Sequence, residues 1–542
     1  MRRARRVLLG ILVAGMVAAG AVWFTARPRL EHWLRTTVIA ALERELDSDV
    51  ELHALQITLG PVTRISGGPL TIRHRRRLDV APLVHLERFE TTMTWREMLR
   101  KPRRVDTVTL TGLAIAIPPS PGDGQPRFPE LGAEPAAAAA PAPAPAAVPA
   151  EQARPPRPRA TPAVIVGQVV ADAATLTILP RDIRKLPRRF VLHRLTVRDI
   201  TTDRPMRFDS VIENPQPRGR ITTSGQFGPW QVDAPARTPI EASYRFVDAD
   251  LSTIRGLAGV LQSAGRYSGV LERIEAHGTA TTPGFDLRVG GRPLPLETRF
   301  TVVVDGTNGN TYIQPAEARL GAATPIRVTG GVVKAEDRRG RTVDLATRIR
   351  DGRLEDVLAL VVDGPPAMRG RLGVDAALLI PPGPEPVARR LQLDGRFTLT
   401  QATFRSAVVQ ARLDELSRRA QGKPGATDVT RVVSSFAGRF YMSEGVIRFP
   451  RLQFEIDGAR VDLAGRYVLD GQRLDFDGRV RLQAGVSQMV RGRKGWLLRP
   501  FDGLFRRDGA TEFPIHIRGS VKQPEFGVDV KETLKRALLP GR

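Results

Sequence analysis

Apolar and polar residues alternate with period two along most of this chain, a spacing that sends successive side chains to opposite faces of a strand. Leu55, Ile57 and Leu59 share one face; so do Leu113, Ile115 and Ile117, and later Phe300, Val302 and Val304. Short runs of the same kind follow at 446–449, 452–456, 461–463, 474–476 and 480–482. Each is bounded by Gly, Asp, Asn or Pro, as antiparallel strands joined by tight turns require. Asp305-Gly306, Asp457-Gly458 and Asp470-Gly471 are hairpin signals, because a type I′ turn needs positive φ at both central positions. Alternation establishes an apolar face but not its cover. A second sheet or bound lipid chains over an open, curled sheet both satisfy the pattern.

Helical spacing interrupts the strands at intervals. Ile254, Leu257 and Leu261 form one such pattern, after Asp250 and Ser252 as capping candidates. Leu354, Leu358 and Val361 form a second, and Val409, Leu413 and Leu416 a third. Each precedes a Gly-Arg pair that is expected to open a strand. These pairs recur at Gly219-Arg220, Gly265-Arg266, Gly370-Arg371, Gly395-Arg396, Gly438-Arg439, Gly465-Arg466 and Gly478-Arg479. Repetition of one small unit predicts an elongated array.

The first sixty residues follow another pattern. Arg2, Arg3, Arg5 and Arg6 precede an uncharged run at 7–26, close to the roughly 20 residues that a bilayer core requires. Val7, Leu8, Leu9, Ile11, Leu12, Val13, Val17, Val22, Trp23 and Phe24 are its anchor candidates. The positive-inside rule places residue 1 in the cytoplasm and the body outside it. A cleaved signal peptide, with Ala19-Gly20-Ala21 as the cleavage site, is the competing reading. An amphipathic helix at 30–46 follows, with Leu30, Trp33, Leu34, Val38, Ile39, Leu42 and Leu46 on one stripe. It either caps the first strands or lies on the membrane surface, where Trp33 is the interfacial candidate. Near the other end, Trp496, Leu497, Phe501 and Phe505 stand among arginines and offer the same two readings.

Composition narrows the picture. Lys+Arg 82 against Asp+Glu 57 leaves +25, but the arginines are scattered among acidic residues, which argues against a nucleic-acid footprint. Anionic headgroups make the better partner for this charge. The chain has no cysteine, so disulfides, thiolate nucleophiles and Cys-ligated metals are excluded. Pro and Ala dominate 118–162, a composition that reads as a tether. The expected organisation is a cytoplasmic tip and anchor at 1–27, an N-terminal module at 28–117, this linker, a middle β segment at 163–370 and a C-terminal β segment at 371–542.

Catalytic chemistry is not indicated. His32, His53, His74, His85, His193, His277 and His516 never fall at metal-site spacing. The stretch 305–310 has the look of a shortened calcium loop but lacks its alternating oxygen ligands and closing glutamate. Glu355-Asp356 and Asp414-Glu415 fall in helical patterns and read as surface or capping residues. The chain is expected not to be an enzyme and to need no cofactor.

The chain resembles the AsmA family of bacterial envelope proteins. At the N-terminus the resemblance lies in the anchor, the amphipathic helix, Leu42-Glu43-Arg44-Glu45-Leu46 leading to Val50-Glu51-Leu52, and the strand Leu55-Gln56-Ile57-Thr58-Leu59. Met98-Leu99-Arg100-Lys101 departs from the family pattern by lacking a glycine. At the C-terminus it runs from Tyr244-Arg245-Phe246 through Gly265-Arg266-Tyr267 and Asp414-Glu415-Leu416 to Leu498-Arg499-Pro500-Phe501-Asp502. The resemblance implies a mainly β fold: an N-terminal transmembrane helix, then an elongated, curled antiparallel sheet forming a β-groove, with a few short amphipathic helices. It implies a single-pass bacterial inner-membrane protein with its bulk in the periplasm, similar to bridge-like lipid-transfer proteins. Phospholipid would then lie on the groove, with Leu55, Ile57, Leu59, Leu113, Ile115, Ile117, Phe300, Val302 and Val304 as candidate lining. The expected role is lipid transport between inner and outer membranes, possible partners being an outer-membrane or envelope protein. The alternative is a scaffold or assembly factor for outer-membrane proteins, acting through a sheet edge.

Overall fold

The computed structural model describes residues 31–44, 46, 48–58, 62–74, 81–94, 103–119, 164–180, 187–201, 203–231, 234–288, 290–335, 340–426, 431–489, 506–507, 510–520 and 523–528. The anchor candidates at 7–24, Leu59, most of the 118–162 segment, and Trp496, Leu497, Phe501 and Phe505 lie outside the described residues. Among the described residues no helix is long and apolar enough to cross a membrane.

Among the described residues strands make up 63%, and 28 of them join one curled sheet that does not close. The sheet forks at its N-terminal end. Its first strands are β1 (Ser48–Leu52), β2 (Leu55–Thr58), β3 (Thr63–Gly67), β4 (Leu70–His74), β5 (Val84–Leu86), β6 (Arg88–Met93), β7 (Arg103–Thr111) and β8 (Ala114–Ile117). They form two arms, β2–β3–β6–β7 and β1–β4–β5–β8. Both arms pair in parallel with β9 (Val164–Ile178), β7 along its first half and β8 along its second. Parallel pairing needs a long crossover. The Pro/Ala segment thus connects strands that are neighbours in one sheet.

Between the arms lies a dry core of Val50, Leu52, Leu55, Ile57, Leu70, Ile72, Leu86 and Leu113. Residues 31–44 form helix α1, and Leu34, Val38, Ile39 and Leu42 pack onto this core. The stripe read from the sequence therefore caps the first strands. Arg35 fastens α1 further, its Nε donating to the Leu52 carbonyl at 2.7 Å.

From β9 onward the chain is an antiparallel meander, each strand pairing with the next from β10 (Arg188–Arg198) to Arg473–Leu482, then Ala510–Ser520 and Pro524–Val528. At about 4.8 Å per strand this run extends on the order of 90 Å. The boundary expected between 370 and 371 falls inside the strand Met368–Ile380, which is paired on both sides.

The repeat takes a different form from the one expected. Most of the Gly-Arg pairs lie within strands: Gly265-Arg266 is central in Val260–Val270 and Gly478-Arg479 in Arg473–Leu482. What recurs before each helical pattern is a bulge with one residue at positive φ, namely Asp248 (φ 54), Asp351 (φ 54) and Gln401 (φ 53). A small buried residue follows each: Ala249, Gly352 and Ala402. The strand then ends in a helical turn. Such bulges sharpen twist and bend the strand, which helps curl the sheet. Two of the three turns are α-helices, α2 (Leu354–Val361) and α3 (Ala407–Ala420). The first is only the 3-10 turn Leu251–Thr253, capped by Asp250, whose carboxylate accepts from Ser252 N at 2.8 Å. Leu261 belongs to the next strand, so the helix expected over 254–261 is absent.

Candidate functional site

Cross-strand register reveals one apolar row that runs across the sheet from strand to strand. It begins Val108–Val169–Val197–Phe208–Gly225–Ala242–Tyr267–Ala276–Val302. It continues Ile313–Gly330–Leu345–Leu378–Leu393–Met442–Ile447–Tyr467–Leu474. Every member is apolar, aromatic or glycine. Phe300 and Val304 share the face of Val302 on the same strand. This is the concave side of the curl.

Most of the row is only half-buried: Tyr267, Ala276, Val302, Leu345, Leu378, Leu393 and Ile447 all keep solvent contact. Fully dry clusters form at two places among the described residues, the N-terminal core under α1 and a second one against α3. That second cluster contains Ala420, Ile456, Ala459 and Leu482. Between them the apolar face stays open. A sandwich partner would have taken these side chains out of water.

Several polar groups that fall on the concave face are hydrogen-bonded to neighbouring strands. Thr223 Oγ1 donates to the Ser243 carbonyl at 2.8 Å, and Ser263 Oγ to that of Thr279 at 2.8 Å. The Tyr267 hydroxyl lies 3.0 Å from Thr223 Oγ1, and the Tyr244 hydroxyl 3.1 Å from Ser263 Oγ. Burial pushes both phenols above their usual pKa, with these hydroxyl contacts working the other way. A satisfied hydroxyl costs little next to hydrocarbon, so the row stays continuous in chemistry as well as in geometry.

The Gly-Arg pairs now have a physical reason. At four of the seven pairs the glycine makes room on the concave face for a ring from the adjacent strand. A side chain at Gly395 would collide with the Phe440 ring, at Gly438 with Phe397 and at Gly465 with Phe476. The arginine points to the convex face and meets acids across the strands. Asp375 pairs with Arg348 at 3.2 Å and Arg396 at 3.1 Å, and Asp475 with Arg466 at 3.1 Å and Arg518 at 2.9 Å. The arginines of these pairs thus lie on the face opposite the apolar row.

The sequence-derived lining residues divide into two groups. Leu55, Ile57 and Leu113 are 7%, 1% and 6% exposed and belong to the dry N-terminal core, against which Ile115 also packs. They build the closed end. Ile117 is half-buried in β8. Phe300, Val302 and Val304 lie on the open face, whereas Val303 between them points to the other side and is fully buried. Trp33 remains 48% exposed on α1. The long row itself escaped sequence reading, because it depends on which strand positions lie opposite one another.

The remaining candidates have structural partners. Asp305 accepts from Thr307 N at 2.9 Å and Asn308 Nδ2 at 2.6 Å, which makes 305–310 a self-bonded hairpin loop. Glu355 pairs with Arg353 at 2.8 Å, while Asp356 is buried and accepts from Thr324 Oγ1 at 2.8 Å, so it is not a surface residue. Asp414 accepts from Val432 N at 3.0 Å and fastens α3 to the following chain. Among the described residues no three His, Asp or Glu side chains gather as a metal site. Compared with known proteins, the chain matches no family model, no curated protein and no solved structure.

Proposed function

We propose that this protein binds the acyl chains of phospholipids along its concave face and acts in lipid transfer between membranes. The observation that carries the reading is the continuous apolar row from Val108 to Leu474, most of it half-exposed. Transfer of a lipid tail through water costs about 0.8 kcal/mol per CH2, on the order of 12 kcal/mol for a tail of ~16 carbons. An open trough with a continuous apolar floor lowers that barrier. No bond is made or broken, so the function needs no catalytic residue or cofactor.

The sequence-level anchor at 7–26 would hold such a trough at a membrane and set its N-terminal end beside the donor bilayer. The basic convex face would favour anionic headgroups there. Native mass spectrometry of the full chain, purified in mild detergent, tests the reading. Several phospholipids per chain are expected. A folded protein that stays lipid-free when offered phospholipid vesicles would refute it.

A further inference from the structure

Two arginines point into the apolar trough. Arg188 opens β10 on the face of Phe190 and Leu192, and Arg341 opens the strand Arg341–Arg353 on the face of Val343 and Leu345. Their strands are far apart in the sheet, yet the curl brings both guanidiniums to the loop that joins Leu294–Val304 to Thr311–Leu320. Arg341 Nη1 donates to the Gly309 carbonyl at 2.7 Å and Nη2 to that of Asn308 at 3.0 Å. The Arg188 guanidinium fills the space beside Gly309 where a side chain would stand.

Charge is not balanced at this point. Asp305 is the nearby acid, and its oxygens already accept from Thr307 N, Thr307 Oγ1 and Asn308 Nδ2. Among the described residues neither guanidinium has an ion-pair partner within bonding distance, and both are half-buried. Burial lowers the pKa of each; Asp305 offsets this at Arg188, while Arg188 itself adds to it at Arg341. Two adjacent desolvated cations, only one of them offset by the already occupied Asp305 carboxylate, favour a further anion rich in acceptor oxygens.

We propose that Arg188 and Arg341 form an anion site that holds the phosphate of a lipid bound in the trough. The inference rests on the acyl-chain reading above and adds a headgroup class to it. A phosphate ester matches the forked donors of guanidinium. Leu345 of the apolar row lies along the strand from Arg341, on the order of 13 Å away, so one amphiphile can reach both. Free phosphate shares the headgroup's chemistry, and the test separates the two sources.

The full chain is offered phosphatidylglycerol or diacylglycerol with the same tails, in mixed micelles, and bound lipid is counted by native mass spectrometry. Wild type is expected to prefer the phosphate-bearing lipid by about tenfold. Arg188→Gln with Arg341→Gln is expected to abolish the preference while diacylglycerol loading is unchanged. Arg188→Lys keeps the charge and should keep most of the preference, which guards against a folding artefact. A double variant that folds and still prefers phosphatidylglycerol overturns the proposal. If neither lipid loads, the trough reading fails by itself, and inorganic phosphate titrated by calorimetry then decides the site. Phosphate binding lost in the double variant would assign it to free phosphate; no binding to wild type would overturn it.

Discussion

Phe440 lies over Gly395, its partner in register on the adjacent strand, and leaves no room for a Cβ there. Phe397 covers Gly438 on the same pair of strands in the reverse sense, and the two rings stand 6.3 Å apart. Each ring thus gains contact with backbone that a side chain would have blocked.

Gly395→Val is therefore expected to displace the Phe440 ring and destabilise the protein by about 1–3 kcal/mol. Gly425 has open space around it, so Gly425→Ala should leave the melting temperature nearly unchanged. Thermal unfolding of both variants checks the pair. Equal melting temperatures would show that ring packing over glycine contributes nothing.

Val302→Asp with Val304→Asp places two charges on the open apolar face. Lipid loading should fall severalfold while the strand remains paired, because an unpaired carboxylate beside hydrocarbon is costly. Thr279→Asp, on the exposed convex face, is the matched control and should load lipid normally. Native mass spectrometry reads both. Normal loading by the double variant would remove these positions from the trough.

Asp375 gives a pH dependence of known sign. Partial burial works against its ionisation, but Arg396 and Arg348 outweigh this and hold the carboxyl below its usual value. A depressed folded-state value contributes stability above the unfolded value and loses it as pH falls through the folded one. Melting temperature should thus decline below about pH 4, and Asp375→Asn should flatten part of that decline. The groups are substantially exposed, so solvent screening keeps the effect under about 1 kcal/mol.

Tyr267 behaves in the opposite sense. Burial raises its pKa above the ordinary tyrosine value, and the contact with Thr223 works against that shift. Its contribution is fully present below the unfolded value of about 10 and is lost as pH rises through the folded value. Ultraviolet titration should show a late-ionising phenol that disappears in Tyr267→Phe. Lipid over this ring should delay ionisation further. A phenol that titrates at the ordinary value would place Tyr267 in open water.

The fold class was legible from the sequence because period two is a local property of a strand. Leu354, Leu358 and Val361, and likewise Val409, Leu413 and Leu416, were legible for the same reason at period 3.6. Ile254, Leu257 and Leu261 had the same spacing but not the structure. A short apolar pattern is ambiguous, and Leu261 pairs with Ala249 in the sheet, which outweighs one turn of helix. The hairpin signals were sound, although 305–310 and 469–472 form longer loops than a two-residue turn. At Asp457-Gly458, which is a two-residue turn, only Gly458 has positive φ.

The sequence by itself determined that one face of each strand would be apolar, that glycines would alternate with arginines, and that α1 would have one sticky side. These depend on neighbours along the chain. Only the tertiary structure decided that Leu55 and Ile57 seal an end while Val302 floors the open part, since exposure depends on what packs above. Register alone aligned Val108 through Leu474 into one row, and the curl alone brought Arg188 to Gly309. Both are sums of small twists and bulges over many strands, which no single segment of sequence contains.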